Sequence, residues 1–179
     1  MSIIVETKKG KELLPREIKL MINSRIKEYG RNTIDFHKEW RNTYLFVKEN
    51  NKIVSFGMLK PVKIDYLGKT YSILGLANII AVKKGKGYGR ILIKSMIENL
   101  KKKGKTGLGF CDKKVTLFYN KSGLETKKGL IKRFKYKDKK TGEIIVDNDG
   151  DGLYYNGRDD LINKILSTKS TAYLNTFFW

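Results

Sequence analysis

The sequence predicts an α/β (α+β) chain with a mixed, mostly antiparallel central sheet flanked by helices. Three observations predict it. An amphipathic helix at 15–29 precedes strand-like segments separated by short turns, a strand at 71–82 runs straight into a glycine-rich loop, and a second helix leads from that loop to a short apolar strand. Short turns make neighbouring strands antiparallel, whereas a strand, helix and strand in succession makes its two strands parallel. A length of 179 residues with 40% hydrophobic content fits one domain spanning 1–179 and argues against disorder.

In chain order, Ile18, Met21, Ile22, Ile26 and Tyr29 fall at helical spacing between Pro15 and Gly30, with polar residues between them. Residues 44–48 and 53–59 read as a hairpin across Asn50-Asn51, and 62–66 and 71–82 repeat the pattern across Leu67-Gly68-Lys69. Leu92, Met96 and Leu100, with Ile93 and Ile97 beside them, mark the apolar face of the second helix, which Gly104 stops. Residues 107–111 then read as a buried strand and 113–121 as a short helix ended by Gly123. Beyond it, 127–140 carries eight Lys/Arg and one Asp, and 143–160 carries six Asp/Glu and one Arg. Both stretches read as strand and loop with a turn at 140–142, followed by a short helix at 158–166 and an aromatic strand at 172–179.

Composition excludes several function classes. One cysteine and one histidine, Cys111 and His37, are too few for a disulfide framework or a His/Cys zinc site. No apolar run is long enough to span a membrane, and the first ten residues lack a signal-peptide core, so the cytoplasm is the expected location. The net charge of +20 points first to nucleic acid, but the excess is made of 31 Lys and only 7 Arg. Arg is the side chain that reads phosphates and guanine edges bidentately, so the bias reads as a lysine-rich solvated surface and not as a nucleic-acid interface.

The richest signal is Lys84-Gly85-Lys86-Gly87-Tyr88-Gly89. Glycines accept positive φ and leave the backbone bare, so N–H groups there can converge on an anion at the start of a helix whose dipole favours negative charge. From 83 to 105 there are nine Lys/Arg against Glu98 alone, which favours a polyphosphate. A tight strand-to-helix turn with no ligand is the plain alternative. The spacing fits neither a Walker loop nor a dinucleotide fingerprint.

What remains is basic-x-x-Gly-x-Gly, filled by Lys84, Gly87 and Gly89, and here the chain resembles the GNAT acetyltransferases. Leu117-Phe118-Tyr119-Asn120-Lys121-Ser122-Gly123-Leu124 is similar to the Phe-Tyr-x-x-x-Gly-Phe block that follows the next strand in that superfamily. The resemblance implies a sheet splayed near Ile80 to make a cofactor slot, with acetyl-CoA (coenzyme A) as the acetyl donor. It implies that Lys84, Gly85, Lys86, Gly87, Tyr88, Gly89 and Arg90 hold the pyrophosphate, while the backbone of Ile80, Ala81 and Val82 holds the pantetheine arm. Tyr119 would protonate the leaving thiolate. A core aromatic with an incidental hydroxyl is the plain alternative for Tyr119, and a small buried hydrophobe is the reading for Cys111.

A narrower resemblance, to the aminoglycoside 2'-N-acetyltransferases, rests on Glu39-Trp40, Tyr66-Leu67-Gly68, the acidic loop Asp147-Asn148-Asp149-Gly150-Asp151-Gly152 and the final Trp179. It implies an amine-binding set of Glu39, Asp149 or Asp151, and the Trp179 carboxylate, and with it a role in antibiotic resistance. Asn78 stands where that group carries a proton-relaying carboxylate, and Phe177 where it carries Asp. The acidic loop also matches the first positions of a calcium loop, but Arg158 replaces its bidentate Glu, and a solvated turn explains such a cluster equally well.

Two readings follow. The first is an N-acetyltransferase acting by direct attack of a small-molecule primary amine. The second is a non-catalytic GNAT-like basic module for nucleic acid or another polyanion, kept open by Asn78. Exposed strand ends can also pair between chains, leaving a homodimer open.

Overall fold

The computed structural model describes residues 2–30, 39–138 and 140–177. Their packing divides the chain into two compact units, Met1–Lys60 with Ala77–Met96, and Pro61–Leu76 with Ile97–Trp179. The units interleave because strands β3 (Lys52–Tyr66) and β4 (Lys69–Ala81) and helix α2 (Tyr88–Lys103) each begin in one and end in the other.

In the first unit, β1 (Ile3–Lys9) pairs antiparallel with β2 (Thr43–Glu49), from Ile3 opposite Glu49 to Lys9 opposite Thr43. β2 then pairs antiparallel with the first half of β3, with a bulge between Val47 and Lys48. Phe46, Phe56, Leu59, Leu92, Ile93 and Met96 are at most 1% exposed and form this unit's interior. Gly57 lets α2 approach β3 closely, since a Cβ there would lie 3.1 Å from the Met96 sulfur. The β1 strand was not foreseen: its apolar run, Ile3-Ile4-Val5, is short and gives way to charges.

Those charges are structural. Helix α1 (Pro15–Tyr29) begins with Pro15 at its first position and is capped by Glu17, whose carboxylate accepts the Leu14 N–H at 2.9 Å. Glu17 is 2% exposed and also receives the Lys8 ammonium at 2.7 Å and that of Lys48 at 3.8 Å. Glu6 bridges the same two lysines, completing a ring of alternating charge that ties β1 and β2 to α1. The buried stripe of α1 is therefore Glu17, Met21 and Arg25, four apart, while Ile26 and Tyr29 of the expected apolar face are 46% and 52% exposed.

In the second unit the strand order is β6 (Glu125–Lys127), β9 (Asp151–Tyr155), β5 (Gly107–Cys111), β4, β3, β10 (Ala172–Leu174), β7 (Phe134–Lys137), β8 (Ile144–Val146). β5 lies parallel to β4, Leu74 opposite Gly107, as the strand–loop–helix–strand order requires. β10 is parallel to β7, while β5/β9, β6/β9, β7/β8 and β3/β10 are antiparallel. Helix α4 (Leu161–Leu166) buries Leu161, Ile162 and Ile165 in a core with Val62, Ile64, Phe134 and Leu174. Arg133 caps the end of α4 by donating to the carbonyls of Ile165 at 2.9 Å, Ser170 at 3.0 Å and Thr168. One charge of the basic stretch 127–140 thus has a structural role.

Two boundaries differ from the sequence reading. β3 runs unbroken through Pro61, joining the segments 53–59 and 62–66, because an exposed proline can lose its donor without breaking a strand. The terminal strand is only Ala172–Leu174, after which Asn175 folds back to bond the Lys63 backbone through both its amide N–H and its side-chain oxygen. Among the described residues, no helix is long and apolar enough to cross a membrane.

Candidate functional site

The glycine loop lies entirely in the first unit. Where β4 ends, the N–H groups of Val82 and Lys83 both donate to the Val54 carbonyl, at 2.9 and 3.2 Å, which fixes the exit of the chain from the sheet. Gly85 and Gly87 follow at φ +76° and +80°, and a Cβ built on either would meet nothing within 4 Å. These positions need glycine for conformation, and they leave an open backbone face where a side chain would otherwise stand. Arg90 and Ile91 donate to the Gly87 carbonyl at 3.0 and 3.2 Å to start α2, which leaves the Tyr88 and Gly89 amides ahead of them without an intrahelical acceptor. Lys86 and Arg90 are exposed, whereas Tyr88 is 6% exposed and Ile80 is 4% exposed. The arrangement is an open, electropositive backbone cradle suited to a phosphate.

Two carboxylates not singled out from sequence, Glu49 and Glu28, hold this loop. The Tyr88 hydroxyl donates to Glu49 Oε1, and the Lys83 ammonium sits 3.1 Å from Glu49 Oε2. The bond from Tyr88, followed by that from Lys83, holds the Glu49 carboxyl below its ordinary range, and the same carboxylate raises the Tyr88 phenol. Lys84 reaches both oxygens of Glu28 on α1, at 2.9 and 3.2 Å. Its side chain is therefore engaged with α1.

Asn78 lies within β4 at φ +51°, a left-handed conformation that a strand residue rarely adopts and that Asn tolerates better than most. Positions 73, 75, 76 and 77 before it and position 80 after it are buried, so the period-two alternation of β4 is already lost over 75–77, next to the left-handed residue. The position expected to carry a relay carboxylate is thus a backbone pivot in this chain.

Tyr119 belongs to the second unit. Asp112 accepts the Lys114 N–H at 2.8 Å to cap a 3-10 turn that leads into α3 (Thr116–Lys121), and Tyr119 is half-buried with its ring 5.3 Å from that of Phe118. Gly123 at φ +102° ends the block.

The carboxylates of the expected amine site are placed differently from one another. Glu39, in the first unit, accepts the buried Tyr44 hydroxyl at 2.6 Å and lies 3.5 Å from Arg25 Nη1. Arg25 is 3% exposed, and its Nε and Nη2 have no hydrogen-bond partner among the described residues. Burial pushes the neighbouring Lys60 ammonium down, against the field of Glu39. In the second unit, Asp151 is 5% exposed and accepts the Gly129 N–H at 2.9 Å, which makes it a strand-anchoring residue. Asp149 is open to solvent, with Lys113 at 3.9 Å. Among the described residues no three carboxylate, Cys or His side chains gather to hold a metal, and Asp151 is spent internally, so the calcium pattern is not assembled. Burial pushes the Cys111 thiol up to about 11. Trp179 and His37 lie outside the described residues.

No family model matches the chain, and no curated protein matches it in sequence. Solved structures do match. Escherichia coli ElaA aligns with a TM-score of 0.60 at 13% identity over 86% of this chain and 99% of its own. The Escherichia coli GNAT family N-acetyltransferase YhbS, solved in complex with CoA, aligns at 0.52 and 14% identity over 96% and 88%. A conserved Enterococcus faecalis V583 protein of unknown function aligns at 0.57 and 17% identity; 70% of this chain matches, spanning 33% of that longer one. Similarity at such identities is a likeness of fold, and the fold of this chain is that of the GNAT N-acetyltransferases.

Proposed function

We propose that the protein is an N-acetyltransferase that moves the acetyl group of acetyl-CoA to a primary amine. The observation that carries this reading is the cradle at 84–90: two positive-φ glycines with open space where a Cβ would stand, between a strand end and a helix N-terminus, in a basic segment. These features suit the pyrophosphate of coenzyme A.

Bound acetyl-CoA would supply an activated thioester. The chain's own part is to hold and orient. Gly85, Gly87 and the first amides of α2 would hold the pyrophosphate, Lys86 and Arg90 would add a favourable field, and the backbone of Ile80–Val82 would line the pantetheine arm. The Tyr119 hydroxyl would give its proton to the departing sulfur. Direct attack needs a neutral amine but no metal ligand or covalent enzyme intermediate, which agrees with a Cys111 thiol that burial keeps protonated near neutral pH.

The acceptor is read as a small-molecule primary amine. An aminoglycoside is the finer candidate, and its support is uneven: Glu39 and Asp151 are engaged internally, leaving Asp149 as the exposed carboxylate among those described. Titrating acetyl-CoA into the protein and screening an amine panel for thiol release tests the reading. Transfer with Tyr119→Phe lowered about 10²-fold or more in kcat is expected; absence of release with every amine would favour the binding-module reading, which Asn78 keeps open.

A further inference from the structure

Glu49 is out of place on simple electrostatic grounds. It is a carboxylate at the end of β2, with a side chain 14% exposed, beside a loop proposed to bind a polyanion. A negative charge there opposes such a ligand. Yet its two oxygens are used on two different sides of the loop: Oε2 pairs with Lys83, immediately before it, and Oε1 accepts the hydroxyl of Tyr88, immediately after it. Tyr88 is 6% exposed and is the first residue of α2, so this bond fixes the helix start from which the cradle amides project. Between these anchors lie Lys84 to Gly87, including two glycines that on their own would leave the loop with many conformations.

We propose that Glu49 is a positioning residue, whose carboxylate braces both ends of the glycine loop and holds its amides ready for the ligand. The proposal rests on the coenzyme reading of the cradle. In it, the repulsion between Glu49 and a bound pyrophosphate is outweighed by the ordering cost that the brace removes before binding. Lys83 neutralises part of the charge, and the Tyr88 hydroxyl takes up a further acceptor site on the carboxylate. The two accounts of Glu49 give effects of opposite sign. If it acts only as a nearby negative charge, removing it tightens coenzyme binding; if it is a brace, removing it weakens binding.

The experiment is a calorimetric titration of coenzyme A into the full chain and into Glu49→Ala, Glu49→Gln, Tyr88→Phe and the Glu49→Ala/Tyr88→Phe double variant. Hydrogen exchange of the 84–90 amides and thermal unfolding accompany each. The brace predicts binding weakened about fivefold in Glu49→Ala and in Tyr88→Phe, with the double variant no weaker than Glu49→Ala alone, because both changes break one unit. Glu49→Gln, which can still accept the phenol proton but offers no second oxygen to Lys83, recovers part of the loss. The loop amides exchange faster in Glu49→Ala without ligand, while its unfolding temperature stays close to that of the parent. Equal or tighter binding by Glu49→Ala overturns the brace. If the parent chain binds no coenzyme A, the coenzyme reading fails instead, and exchange in the ligand-free protein decides the brace alone: unchanged protection at 84–90 overturns it.

Discussion

Asn78 shows how one residue can carry information that its chemistry alone conceals. Read as a functional group, it is an amide where a carboxylate was expected; read as backbone, it is a left-handed residue inside β4, two positions before Ile80. A β-branched side chain cannot hold that conformation without strain, so Asn78→Val should lower unfolding stability by about 1–3 kcal/mol while Asn78→Gly stays within about 1 kcal/mol of the parent. Denaturant titrations of the two variants check this. Cys111 gives a second expectation at the same scale. With its thiol pushed up to about 11 by burial and by Asp151 and Asp112, it should react slowly with iodoacetamide at pH 8, about tenfold faster with each further pH unit, and level off only above that value. Rapid alkylation at pH 8 would show that the thiol is more accessible and acidic than its surroundings imply.

Among the elements, α2 and the loop before it were legible because their signals are local: a 3.6-residue apolar period, glycines at fixed offsets and a glycine stop. β1 and the buried face of α1 were not, because their pattern is charged and their partners are remote in sequence. Glu17 is understood only once Lys8, Lys48 and the Leu14 amide surround it. Removing it leaves Lys8 and Lys48 with Glu6 alone and the Leu14 N–H without its acceptor, so Glu17→Ala should cost about 1–3 kcal/mol. Arg25→Met should cost much less, since two of the three guanidinium nitrogens already lack partners among the described residues. Unfolding midpoints of the two variants test the order, which reverses if Arg25 is the better satisfied charge.

The same ring sets a pH dependence. Hydrogen bonding from Lys48 lowers the Glu6 pKa in the fold, so the stability it contributes is present above the unfolded glutamate value and lost as pH falls through the lower folded one. Hydrogen bonding to Glu17 raises that of Lys8, whose contribution is full below the unfolded lysine value and lost as pH climbs through the higher folded one. Both windows leave neutral pH untouched. The contribution of the β1–α1 ring should therefore be flat through neutrality and decline at both extremes, and Glu6→Gln should flatten the acid limb.

At the scale of the whole molecule, a charge of +20 is largely a property of the surface and a poor guide to function. Arg133 of the basic stretch 127–140 is an α4 cap, whereas Lys127, Lys128, Lys132, Lys137 and Lys140 are exposed. Contacts of such lysines with DNA rest on counterion release, so any duplex binding should fall by orders of magnitude between about 50 and 200 mM salt. The local concentration of charge around the cradle has a different character, because glycine conformation and a helix start accompany it. The interleaving of two units along one chain was not legible from sequence. Strands β3 and β4 and helix α2 each read as one continuous segment, and nothing in periodicity marks where such a segment passes from one packed unit to another.

The most direct test of the central claim is calorimetric titration of acetyl-CoA into the parent chain and into Gly87→Val. Gly87 sits at φ +80° with open space around its Cβ direction, so valine both strains the loop and fills the cradle. The account predicts one-site binding by the parent and loss of at least about two orders of magnitude in affinity in the variant, roughly 2.7 kcal/mol. No binding by the parent, or equal binding by both proteins, would contradict it.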